Sequence, residues 1–356
     1  MKWMIGFLLL FCLQSVAQDT LPVKIRDFSK KYEAVIDRTK EDTLINGRYD
    51  DYSPEFTLKI LDKSSQKLIL KAYTMDIPTY LLDENNEAIP NIKEIPYGSQ
   101  SVLFYEDYNF DGVKDFALMN GYGSCYGGPS FSIYLAKEET FEYSEAFSIL
   151  SNEYCGMFHI DSETQTIHTM TKSGCCWHQF SEFKVIDNEP KPAKITERSA
   201  LSHRNFVEVT EITYDGEIEN RTEKLYFPLE EMTSQILLYF ELEHNGKVVT
   251  LYEIDEKLHY VFLQKDDLIE FYFPKTDDLE SETTLQKKDF SYNSTDKVLT
   301  FSNNTARYQI YETDYSIGIM VETNGKTYDM KGTKSTAIGS LKKLNTKLTN
   351  VINEVF

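Results

Sequence analysis

The sequence predicts a mainly β chain, and three observations predict it. Its 356 residues include 24 Tyr and 22 Phe, an aromatic load that suits half-buried pleated strands better than helices. Apolar and polar residues alternate with a period of two in many short runs. Asp215-Gly216, Asn245-Gly246 and Asn324-Gly325 fall between such runs, and Asn or Asp before Gly tolerates the positive φ of tight hairpin turns.

The first 17 residues are read apart from the fold. MKWMIGFLLLFCLQSVA carries one positive charge at Lys2, an apolar run over residues 5–13 and a small-x-small ending at Ser15-Val16-Ala17. That is the layout of a secretory signal peptide, the apolar run being far short of the ~20 residues a bilayer crossing takes. Phe11 is too bulky to precede a lipidated cysteine at Cys12. We therefore expect a periplasmic or secreted protein with no transmembrane segment in the mature chain.

The elements follow in order. Phe56, Leu58 and Ile60 alternate with polar residues, a Lys63-Ser64-Ser65-Gln66 turn follows, and Leu68-Ile69-Leu70 returns as the second arm of a hairpin. Residues 101–105 lead into an acidic loop and 116–119 leave it, so the loop joins two strands. Further strands are expected at 131–135, 156–160, 166–170 and 179–186. The pattern lapses over residues 187–203, which hold two prolines, and a domain boundary is placed there, dividing 18–195 from 205–356. The second domain reads as antiparallel strands at 207–214, 247–252, 258–263, 268–273, 298–302, 306–311, 317–322 and 327–330, with a short helix within 225–240. Leu341, Leu344, Leu348, Val351, Ile352 and Val355 fall at helical spacing, which predicts a C-terminal amphipathic helix over 340–353.

The acidic loop carries the most chemistry. Asp107, Asn109, Asp111, Gly112 and Asp115 spell D-x-N-x-D-G-x-x-D. Alternate spacing brings side-chain oxygens together where the backbone curls, Gly112 permits the turn, and Val113 can offer its carbonyl. Hard oxygen donors in this number suit Ca²⁺, and no nitrogen or sulfur donor is present to favour zinc. Leu118 stands where an EF-hand has its bidentate Glu, so the set needs a ligand from elsewhere or more water. Affinity in the ~10⁻⁴–10⁻³ M range of extracellular modules is expected.

Cys125, Cys155, Cys175 and Cys176 are an even set in an exported chain, which implies disulfides. A vicinal Cys175–Cys176 bridge is geometrically strained, which leaves 125–175 with 155–176, or 125–176 with 155–175. The rival Cys/His zinc site, from Cys155-x₃-His159 and Cys175-Cys176-x-His178, lacks the usual two-residue cysteine spacing. His159, His168 and His178 are read as ordinary strand residues. The stretch GYGSCYGG over residues 121–128 is neither a nucleophile elbow nor a dinucleotide fingerprint. Its glycines flank Tyr122 and Tyr126, and Tyr supplies contact area at low entropy cost; a recognition loop is expected. The carboxylate pairs Asp266-Asp267 and Asp277-Asp278 fall in expected turns of an acidic chain, and no enzyme constellation emerges.

Three stretches together, DYNFDGVKDFALM, GYGSCYGGPSFSIYLAKEETFEYSEAFSIL and HIDSETQTIHTMTKSGCCWHQFSEFKV, resemble a family of exported bacterial calcium-loop proteins with a small β-propeller-like fold, over about residues 50–195. At least one member inhibits lysozyme-type peptidoglycan hydrolases. The resemblance implies a propeller-like first domain, metal ligation by Asp107, Asn109, Asp111 and Asp115, and a protein partner of the basic cell-wall hydrolase kind. This chain adds its cysteines and a second domain, residues 205–356, which resembles exported β-domains with no activity attached to them. The net charge of −20 disfavours nucleic acid and anionic lipid and favours cations and basic protein surfaces. The overall expectation is a calcium-binding protein that binds another macromolecule and is not an enzyme; a structural or adhesive surface module is the alternative.

Overall fold

The computed structural model describes residues 22–38, 44–45, 48–49, 56–74, 77, 79–92, 101–201, 204–232, 235–275, 288–345 and 348–354. The signal-peptide reading of residues 1–17 lies outside the described residues. The chain divides into two compact units: one of Met1–Ser173, Gln179–Ile195 and Tyr214–Gly216, the other of Gly174–His178, Thr196–Thr213 and Glu217–Phe356.

The first unit opens with β1 (Val23–Ile25), β2 (Tyr32–Arg38), the short pair β3 (Leu44–Ile45) and β4 (Arg48–Tyr49), then β5 (Phe56–Asp62) and β6 (Leu68–Thr74). Strands β1, β2, β5 and β6 form a four-stranded antiparallel sheet in that order. The expected β5–β6 hairpin is organised by Asp62, whose Oδ1 accepts from the amides and the hydroxyls of Ser64 and Ser65. Those donors, the Ser64 hydroxyl foremost, hold the Asp62 carboxyl well below the usual carboxylate range.

A second sheet carries the acidic loop. Strands β7 (Leu103–Glu106), β8 (Asp115–Ser124), β9 (Gly128–Lys137) and β10 (Thr140–Ser144) pair in the order β10-β9-β8-β7. Helix α1 (Glu145–Asn152) follows, the single α-helix among the described residues. The Ser144 hydroxyl caps it by accepting from the Phe147 amide. Its Ser148 and Ser151 hydroxyls accept from the β9 amides of Ile133 and Phe131, which fixes the helix on the sheet. Phe104, Phe116, Phe131 and Phe147 are fully buried in this core, each contributing about 1.5–3 kcal/mol by leaving water; Tyr108 is buried among them.

Next come β11 (His159–Asp161), which pairs antiparallel with β12 (Thr166–Ser173), and the longer β13 (Trp177–Ile186), β14 (Glu189–Leu201), β15 (Phe206–Asp215) and β16 (Ile218–Tyr226). Strand β14 occupies most of the stretch, residues 187–203, over which the alternation lapses. Residues 193–197 are all half-buried, so no period of two is left to see. Pro190 and Pro192 are two apart, which puts both missing donors on one side of the strand.

The second unit continues with β17 (Ile236–Glu241), β18 (Val248–Ile254), β19 (Lys257–Leu263) and β20 (Ile269–Phe273), then β21 (Phe290–Asn293), β22 (Val298–Asn303), β23 (Ala306–Glu312), β24 (Ile317–Thr323), β25 (Lys326–Gly332), β26 (Ile338–Gly339) and β27 (Val351–Glu354). Two sheets result, ordered β20-β19-β18-β17-β26 and β25-β24-β23-β22-β21-β27. The helix expected within 225–240 is replaced by the end of β16, a turn and β17, whose buried and half-buried residues alternate strictly.

The C-terminal amphipathic helix is also corrected. Residues 341–345 make a 3₁₀ turn, and Val351–Glu354 becomes β27, pairing parallel with β21. Leu341, Leu344, Leu348 and Val351 are buried as the stripe suggested, but they enter the sheet core from a turn and a strand. Asn350 diverts the chain: its side chain accepts from the Leu258 amide at 2.8 Å and donates to the Leu258 carbonyl at 3.0 Å, imitating a strand partner for β19. The protein is mainly β, and no sheet closes into a barrel among the described residues. A propeller-like arrangement is not shown.

Candidate functional site: an oxygen-lined loop and a clasped hairpin

Strands β7 and β8 close with Glu106 opposite Asp115, so residues 107–114 form the turn between them, as the sequence suggested. Phe110 and Gly112 take φ of 62° and 89°. A Cβ at Gly112 would meet nothing within 4 Å, so glycine is needed there for conformation and not for space. The side-chain oxygens fold back on the loop's own amides. Asp107 accepts from the amides of Asp111 at 3.1 Å and Gly112 at 2.9 Å, and Asp111 from that of Val113 at 2.7 Å. Asn109 accepts from the Asp111 amide at 3.3 Å.

Asp115 differs from the others because it is fully buried. Its two oxygens accept from the amides of Tyr108 at 2.7 Å and Ala136 at 2.8 Å. Burial pushes the carboxyl up to about 6; the two amide donors oppose the rise, and the charges of Asp111 and Asp107 add to it. One carboxylate thus ties the loop to the end of β9.

The donor set is oxygen throughout: the side chains of Asp107, Asn109, Asp111 and Asp115 and the carbonyl of Val113. A carboxylate oxygen that accepts one N–H keeps a second lone pair, and a buried anion beside two further acids suits a hard divalent cation. Among the described residues no three His, Cys, Asp or Glu side chains are grouped to hold a metal; the loop acids face amides rather than one common point. By donor type and order these residues fit calcium. Asn188, in the β13–β14 turn, is a residue that sequence reading missed. Its Oδ1 accepts from Asn109 Nδ2 at 2.8 Å, which brings an oxygen from elsewhere in the chain to the loop. Its separation from the motif gave no signal, beyond the reasoning that one ligand was lacking.

The glycine-rich stretch is a hairpin rather than a long loop. Strand β8 runs on to Ser124 with register shifts after Met119 and Gly121, a 3₁₀ turn spans Cys125–Gly127, and β9 begins at Gly128. A Cβ on Gly128 would lie 2.7 Å from the Ser124 hydroxyl, so the tightness of the turn requires that glycine. Tyr122 and Tyr126 are exposed by 40% and 66%, a presentation suited to recognition, and Lys172 lies over the Tyr126 ring at 5.0 Å.

The cysteine pairing differs from both expected arrangements. Cys125 bonds to Cys155, and Cys175 to Cys176. Local backbone contacts account for the first bridge. The Cys125 amide donates to Tyr154 O and the Gly156 amide to Ser124 Oγ, which lays residues 124–125 beside 154–156. At the other turn the Cys176 carbonyl accepts from the Ala200 amide of β14.

No family model and no curated protein matches the chain. Among solved structures it is similar to a Type IV secretion system related protein of Xanthomonas, at 15% identity and a TM-score of 0.43 over 56% of this chain and 92% of that one. It is also similar to a luciferin-regenerating enzyme, at 10% identity and a TM-score of 0.21 over 90% of this chain and 94% of that one. At these scores neither bears on what the chain does.

Proposed function

We propose that the protein is an exported calcium-binding protein that acts by binding another macromolecule, and that its partner is a basic peptidoglycan hydrolase of the lysozyme type, which it inhibits. The observation that carries the calcium reading is the buried Asp115 carboxylate at the base of an all-oxygen turn. Asp107, Asn109, Asp111, Asp115 and the Val113 carbonyl would hold the ion, with Asn188 beside Asn109 as a further oxygen. Calcium supplies divalent charge that offsets the loop's carboxylates. Asp115 holds the loop to Tyr108 and Ala136, and so keeps the β7–β8–β9 hairpins in register.

The partner reading is supported by the family resemblance over residues 50–195 and by a net charge of −20, which steers toward basic surfaces. The signal-peptide pattern of residues 1–17 supports a periplasmic or secreted location. The mature protein is passed over a panel of immobilised lysozyme-type hydrolases at low salt, with calcium or with chelator, and residual hydrolase activity is measured. Calcium-dependent capture with loss of activity is expected; no capture at low salt refutes the partner assignment. Exposed Tyr122 and Tyr126 also suit a structural or adhesive surface module. Binding to carbohydrate or matrix without inhibition would favour that reading.

A further inference from the structure

The β11–β12 hairpin sets two imidazoles side by side, outside the acidic loop. His159 and His168 are directly opposite in register, the arrangement in which facing side chains share one surface of the sheet with Cβ atoms ~4.5–5.5 Å apart. Their ring centroids are 6.2 Å apart, with the planes inclined at 33°. His159 is exposed and His168 half-buried, so the rings are open to an ion from solvent.

The separation suits chelation. A metal bound at ~2.0 Å to one nitrogen of each ring lies roughly 3.1 Å from each centroid, so paired rings have centroids about 5 Å apart in a tetrahedral arrangement and about 6.3 Å apart in a linear one. The observed distance lies at the open end of that interval. Rotation of the exposed His159 ring reaches the rest of it.

A cavity of about 250 Å³ adjoins the pair and is also lined by Met157, Phe158, Met170 and Phe180. Met170 lies two residues beyond His168 on β12 and therefore on the same face. Two imidazoles with a thioether at the rim make a nitrogen and sulfur donor set. Such donors are ill suited to calcium or magnesium; copper heads the affinity order for imidazole sites, and its reduced form takes thioether ligands.

We propose that His159 and His168, with Met170 as third donor, form a copper-binding site on the outward face of the β11–β12 hairpin, separate from the acidic loop. The assignment is independent of the hydrolase reading and of calcium.

The test titrates the full mature chain, its disulfides intact, with Cu(II), and with Cu(I) against a chromophoric Cu(I) chelator. One equivalent of Cu(II) is expected, with electron paramagnetic resonance showing coupling to two imidazole nitrogens. His159→Gln and His168→Gln should each weaken Cu(II) binding at least tenfold, and Met170→Leu should weaken Cu(I) binding. His178→Gln and His244→Gln should leave both unchanged. Far-ultraviolet circular dichroism confirms the fold of each variant. Copper binding that survives in the His159→Gln/His168→Gln double variant, coupling to a single imidazole, or no binding by the unaltered chain would each overturn the assignment.

Discussion

Replacing Asp115 by Asn probes the calcium loop at its base. The substitution preserves size but removes the charge, and turns one of two acceptors into an amide donor facing a backbone N–H that now meets Asp115 at 2.7 or 2.8 Å. Leaving one buried amide unpaired costs about 1–3 kcal/mol, which removal of a buried anion partly offsets. Calcium adds a second term. With dissociation constants of ~10⁻⁴–10⁻³ M, about 10 mM calcium stabilises the folded chain by about 1.4–2.7 kcal/mol. For a unit of this size that is roughly 3–10 °C in melting temperature. Thermal unfolding is followed in calcium and in chelator for the unaltered protein, Asp115→Asn and Asp107→Ala. The unaltered protein should show the calcium shift, and both variants should lose most of it. An unaltered protein whose melting is indifferent to chelator, or variants that keep the full shift, would refute the reasoning.

Three further predictions concern stability. His259 stacks on Tyr252 at 5.2 Å, and burial, aided by Arg204 and Lys257, holds its imidazole down to about 4. The unfolded chain therefore takes up a proton near pH 6.5 that the folded chain refuses, and stability falls as the pH drops from about 6.5 to about 4, by at most about 3 kcal/mol; urea midpoints across this range should be flatter for His259→Gln. Asn350→Ala strands the buried amide and carbonyl of Leu258, and should lower the unfolding free energy by about 2–4 kcal/mol, read from the urea midpoint. Cys125 and Cys155 are 30 residues apart, whereas Cys175 and Cys176 are adjacent. The chain-entropy argument gives about 3–4 kcal/mol for the first bridge and little for the second, so Cys125→Ser/Cys155→Ser should be far less stable than Cys175→Ser/Cys176→Ser in chemical denaturation.

The parts legible in the sequence were those decided by local chemistry. A curled D-x-N-x-D-G turn between two alternating runs is set by neighbours in the chain, and β7 and β8 flank it where the alternation suggested. The β5–β6 hairpin was legible for the same reason. The parts that were not legible depend on partners distant in sequence. Leu341, Leu344, Leu348 and Val351 have a helix's spacing, yet Asn350 finds Leu258, and backbone pairing with β21 outweighs the stripe. Strand β14 is half-buried on both faces over residues 193–197 and shows no alternation. The cysteines paired according to which turns the fold laid together. His159 and His168 fell one residue short of being legible: the strands expected at 156–160 and 166–170 centre their turn on residue 163 and set His159 against Ile167, whereas β11 runs on to Asp161 and the observed register sets it against His168.

Asp115 has a consequence beyond metal affinity. A single carboxylate is the meeting point of three passages of chain, at positions 108, 115 and 136, so releasing any one of them loosens the other two. The two adjoining hairpins should then open as one block, with the Tyr108 and Ala136 amides exchanging with solvent deuterium at matched rates. A partner that grips either hairpin would feel the state of the other.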